Sequence, residues 1–136
     1  MEIKLTRLEE PFLFNVENSN GAVLLSDANQ DIGGSGKGFR PMELVLAGAG
    51  GCAAIDLLLI LKKQRQNVLD VQVLVTGKRD DSPAKAFNVI SFHFSIQGNV
   101  EENKLARAIS LALEKYCSVV QSLDKSIIIA STYTIN

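Results

Sequence analysis

Residues 41–66 read PMELVLAGAGGCAAIDLLLILKKQRQ, and this stretch decides the architecture. From position 44 to position 61 only Asp56 is charged, so the segment is apolar on nearly every side. Pro41 suits the first turn of a helix, where its missing N–H costs nothing. A helix over residues 41–66 would be about 39 Å long at ~1.5 Å rise per residue. The run from position 44 to position 61 is almost the length of a membrane span, but Gly48, Gly50, Gly51 and Asp56 interrupt it. A helix buried in protein is therefore expected. An all-round apolar helix needs cover on every side, and so short a chain has few elements to supply it. A symmetric homodimer sharing that helix follows as an expectation.

On either side of the helix the period changes. Upstream, residues 3–8, 12–16 and 22–25 read as short strands, with Asn18 to Gly21 as a hairpin turn. Residues 27–40 carry Gly33, Gly34, Gly36 and Gly38 and read as a loop. The spacing of its glycines and Lys37 is not that of a phosphate-binding loop. Downstream, Val71, Val73 and Val75 alternate with polar residues, and residues 78–85, which include Pro83, form a turn or loop. Ile90, Phe92, Phe94 and Ile96 then alternate with Ser91, His93, Ser95 and Gln97, the mark of a half-buried strand. Asn99 and Glu102 have capping-box spacing ahead of a helix whose stripe is Leu105, Ala108, Ile109, Ala112, Leu113 and Tyr116. Residues 118–123 suit one helical turn, and residues 127–135 close as a strand. Short links between consecutive strands favour antiparallel sheets and an α+β class over βαβ units.

The 136 residues suit a single domain, residues 1–136, large enough for a core without staples. Fourteen basic and fifteen acidic side chains leave a net charge of −1, so nothing points to nucleic acid or an anionic membrane. The alternating amino terminus lacks the apolar core of a secretory leader, so a cytoplasmic location with reduced thiols is expected. Two cysteines form no disulfide framework, and with one histidine they fall short of a four-ligand zinc site.

Cys52 sits among Gly50, Gly51, Ala53 and Ala54, neighbours small enough for a substrate to approach its sulfur. It reads either as a reactive thiol in an apolar pocket or as a small buried hydrophobe. Cys117 shares that ambiguity, but it could stand at the amino end of the turn 118–123, where N–H groups favour a thiolate. The two lie 65 positions apart, so only the fold can bring them together. Asp56 follows Cys52 by four residues and shares its helix face; it could orient a donor near the sulfur or bind a structural partner. Glu43, nine residues before Cys52, falls on the opposite helix face and suits the helix amino end or a pair with Arg40. Arg40 borders the glycine loop, either activating a thiolate or standing exposed. His93 is expected to face solvent, which weakens Cys-His and Ser-His-Asp schemes.

The run from Pro41 to Asp56, together with Glu114-Lys115-Tyr116-Cys117-Ser118-Val119, resembles the OsmC/Ohr family, in particular its OsmC-like (YhfA-type) branch. The order of elements agrees over nearly the whole chain. The resemblance implies an OsmC-like fold, antiparallel sheets wrapped around long central helices in an intertwined homodimer. It also implies a thiol-dependent peroxidase acting on organic hydroperoxides. Cys52 would then become a sulfenic acid and Cys117 would resolve it as a disulfide, with an external dithiol as reductant and no metal or cofactor. One departure stands out. Ohr-type members carry a glutamate ten positions before the first cysteine, paired with an arginine from the amino-terminal region. Here Met42 occupies that place, Glu43 follows it, and Arg40 or Arg7 is the available arginine. The departure favours an alternative, a non-catalytic binding protein holding a small apolar or thiol ligand in the pocket around Cys52.

Overall fold

Asn18 sets the hairpin turn over residues 18–21, between the second and third strands. Its side-chain oxygen accepts the N–H groups of Asn20 and Ala22 at 3.0 and 2.9 Å, and Gly21 takes the positive φ of 83° that closes the turn. A computed structural model describes all 136 residues. It separates into two compact units, Met1–Val45 and Leu46–Asn136. In the first, β1 (Ile3–Glu9), β2 (Leu13–Asn18) and β3 (Val23–Ser26) form an antiparallel sheet with β2 in the centre. The glycine-bearing stretch that follows is shaped by Asp27, a buried carboxylate. It accepts the N–H groups of Ala28 and Ser35, each at 2.8 Å, and the Ser35 hydroxyl. That hydroxyl, first among the causes, holds the Asp27 carboxyl below its usual range.

The long helix α1 (Pro41–Lys63) begins in the first unit and runs through the second. It starts at Pro41 as expected but stops short of residue 66. Arg65 adopts a left-handed φ of 56°, and Gln66 donates its N–H to the Leu61 carbonyl at 2.9 Å. This closure normally uses glycine, so an arginine at position 65 does not announce it. The next strand consequently starts at residue 67.

In the second unit β4 (Asn67–Arg79), β5 (Phe87–Asn99) and β6 (Ile128–Ile135) form a sheet with β5 in the centre. The alternation of β5 is as read: Ile90, Phe92, Phe94 and Ile96 are buried, each at most 1% exposed. His93, expected to face solvent, is half-buried, and its Nδ1 lies 2.8 Å from Thr132 Oγ1 on the neighbouring strand. The fold is α+β. One pairing corrects the antiparallel expectation: β5 and β6 run parallel. The intervening segment, α2 (Glu102–Leu111), a π-turn (Ala112–Tyr116) and α3 (Ser118–Ser122), is long enough to carry the chain back across the sheet.

The capping box is a second correction. Asn99 remains in β5, and α2 is preceded by Glu101 with no side-chain cap. Tyr116 is a third. The stripe Leu105, Ala108, Ile109, Ala112 and Leu113 is buried, but Tyr116 is half exposed. The π-turn widens the helix there, so position 116 rotates outward and Cys117 rotates inward, donating its N–H to the Ala112 carbonyl at 2.7 Å.

Within the chain α1 is covered on one face. Ala49, Ala53, Leu57 and Leu61 are fully buried, each large side chain contributing about 1.5–3 kcal/mol. Gly50 lets the helix approach β4 closely, since a Cβ there would lie 2.8 Å from Val75 Cγ2. The opposite face, with Ile55, Leu58 and Leu59, is exposed at 62, 37 and 52%. The sequence led us to expect a helix buried all round; a single chain buries one side of it.

Candidate active site

Helical spacing brings Cys52 and Asp56 together. Four residues apart on α1, they share a face, and the Cys52 thiol points at Asp56 Oδ2 across 3.8 Å. The chain reversal at the π-turn delivers the other sulfur. Cys117 caps α3 and is wholly buried, whereas Cys52 is half-buried. Its sulfur accepts the Val120 N–H at 3.5 Å and lies 3.9 Å from the Ala49 carbonyl oxygen, one helical turn before Cys52. The two sulfurs and a carboxylate oxygen of Asp56 all lie within 4.8 Å of one another. Both cysteines are free thiols.

Cys117 occupies the helix-capping position expected of it, but its electrostatics run the other way. Burial first, and the nearby Cys52 after it, push its thiol up from an ordinary 9.0 to about 11. The N–H groups of Val120 and Val119 pull it down, and they are outweighed. A five-residue helix carries little dipole, so desolvation wins. At neutral pH the buried sulfur is a protonated thiol.

Arg40 and Glu43 form a unit of their own at the start of α1. The Arg40 backbone N–H reaches Glu43 Oε2 at 2.9 Å, and its guanidinium reaches Oε1 at 3.2 and 2.9 Å. These contacts, the backbone one first, hold the Glu43 carboxyl below its usual range. Both side chains are about half exposed, so the pair contributes little stability. The pairing read from the sequence is present.

Sequence reasoning did not anticipate two contributors, the Ala49 carbonyl and the π-turn. Neither depends on side-chain identity, so neither leaves a mark in the sequence. A cavity of about 510 Å³ also opens in the second unit, between α2, α3 and β6. Ile109, Leu113, Lys125 and Tyr133 are among its walls, and neither cysteine is.

Comparison with known proteins bears on this arrangement. The family model described as OsmC-like protein matches residues 34–132, the span that carries both sulfurs. Protein YhfA of Escherichia coli K12 is 39% identical over 127 residues, covering 93% of this chain and 92% of YhfA. A protein of Aquifex aeolicus VF5 superposes with a TM-score of 0.86 at 32% identity, over 99% of this chain and 95% of the other. An organic hydroperoxide resistance protein from Elizabethkingia anophelis shares the fold, with a TM-score of 0.76 at 19% identity over 100% of this chain and 97% of its own. The chain belongs to the OsmC-like protein family.

Proposed function

We propose that this protein is a thiol-dependent peroxidase that reduces organic hydroperoxides. The observation that carries the reading is the pair of sulfurs, 65 positions apart in sequence and within 4.8 Å in space, one half-buried and one buried. Cys52 is the more accessible and attacks the O–O bond. Its sulfur bonds to one peroxide oxygen and becomes a sulfenic acid, and the other oxygen leaves as an alcohol after taking a proton. Cys117 then attacks the sulfenic sulfur, releasing water and forming a disulfide. An external dithiol restores both thiols. The steps use the two sulfurs, the hydroperoxide and the dithiol, and the chemistry needs no metal or cofactor.

The active form is a homodimer in the cytoplasm. The exposed face of α1, with Ile55, Leu58 and Leu59, is the surface a second copy would cover. A second reading, a non-catalytic protein that holds a small apolar or thiol ligand near Cys52, is favoured by one observation: Met42 stands in place of the glutamate of Ohr-type relatives.

Turnover of cumene hydroperoxide with a dithiol reductant tests the proposal. Wild type should turn over, Cys52→Ser should lose all activity, and Cys117→Ser should retain a single-turnover reaction. Thiols that survive excess hydroperoxide in the wild-type protein would reject the peroxidase and leave the binding reading.

A further inference from the structure

Counting cysteines and histidines misses a third potential ligand at the paired sulfurs. Asp56 adds a carboxylate oxygen, and the three donor atoms lie within 4.8 Å of one another. Tetrahedral zinc with bonds of about 2.3 Å to sulfur and about 2.0 Å to oxygen needs sulfur–oxygen edges of about 3.5 Å and a sulfur–sulfur edge of about 3.8 Å. The observed separation of Cys52 Sγ and Asp56 Oδ2 is 3.8 Å. The other two edges are no longer than 4.8 Å, so side-chain shifts of about 1 Å bring these atoms to three corners of a metal tetrahedron.

The sources of the ligands also suit chelation. Cys52 and Asp56 stand at i and i+4 on one helix, a spacing that sets two donors side by side. Cys117 arrives from the distant π-turn and supplies the third corner. Cys52 is half-buried, which leaves a way in and a fourth position for water or an exogenous thiol. Two soft sulfurs beside one carboxylate favour zinc-like ions over magnesium or calcium.

We propose that Cys52, Asp56 and Cys117 form a binding site for a thiophilic divalent cation, zinc in the cell, when the two cysteines are reduced. Binding displaces the two thiol protons and changes no oxidation state. Two metal–sulfur bonds replace two sulfur–hydrogen bonds, and the carboxylate completes the protein ligands. The same sulfur atoms cannot hold the cation and also form a disulfide. Metal therefore shields the thiols from oxidation, and oxidation to the disulfide releases the metal. The site stands on donor geometry alone and does not require peroxidase activity.

The test uses tag-free, full-length protein, reduced and kept anaerobic, titrated with zinc against a chromophoric chelator. Expected are one zinc per chain, nearly two protons released per ion, and no binding by protein oxidised to the disulfide with diamide. Asp56→Asn should weaken binding at least tenfold while the melting temperature stays near wild type. X-ray absorption on the wild-type complex should show two sulfur neighbours at about 2.3 Å with oxygen completing the shell. Substoichiometric binding, unchanged affinity in Asp56→Asn, binding by the disulfide form, or a shell with fewer than two sulfurs would each overturn the proposal.

Discussion

Raising the pH isolates the contribution of Cys117. With its thiol near 11, only about one molecule in 10⁴ carries the thiolate at pH 7, against about one in 10² for an ordinary value of 9.0. A more basic thiolate is also a better nucleophile, by about tenfold over two units at a Brønsted slope of ~0.4–0.5. The net penalty on disulfide closure is therefore about tenfold at neutrality. Closure should accelerate nearly tenfold per pH unit from pH 6 to pH 10, because each unit multiplies the thiolate tenfold until the pH approaches 11. The assay oxidises reduced protein with one equivalent of cumene hydroperoxide. It then quenches with dimedone at timed intervals and weighs the intact chain, so that sulfenic adduct and disulfide separate by mass. At pH 7 the Cys52 sulfenic acid should accumulate in wild type as well as in Cys117→Ser. A closure rate that levels off near pH 7 would refute the reasoning, since it would place Cys117 in a polar or positively charged setting rather than a desolvated one.

Other consequences concern packing. Leu57 is fully buried, so Leu57→Ala should cost about 2–5 kcal/mol in urea denaturation. Gly50→Ala puts a methyl 2.8 Å from Val75 Cγ2. Overpacking there should exceed the gain in helix propensity and destabilise by about 1 kcal/mol on the same measurement. Gly51→Ala, with nothing within 4 Å of the added methyl inside the chain, serves as its control. Ile55→Glu should weaken self-association on the order of 100-fold by light scattering, because it sets a charge on the uncovered face of α1.

The parts of this molecule legible in the sequence are those written in side-chain pattern. Alternation at Ile90, Phe92, Phe94 and Ile96 gave the central strand, and Asn18 with Gly21 gave the hairpin. The capping position of Cys117 and the pairing of Arg40 with Glu43 were also readable, because both depend on local spacing. What escaped depends on backbone geometry. The end of α1 relies on a left-handed Arg65, a conformation that residue types do not announce. Parallel pairing of β5 with β6 depends on how the helical crossover returns, which strand periodicity does not encode. The π-turn left Tyr116 exposed where a regular helix would have buried it, and it turned the adjacent sulfur inward. Two motifs in sequence thus marked which sulfurs matter, and a widened helical turn decides that they meet.

Peptide mapping under non-reducing conditions, after one equivalent of an organic hydroperoxide, asks directly whether the two thiols act as a couple. The account predicts one alcohol released per chain and a single cross-linked species joining the Cys52 and Cys117 peptides. Recovery of both peptides as free thiols, or oxidation of Cys52 to sulfinic acid with Cys117 untouched, would contradict it.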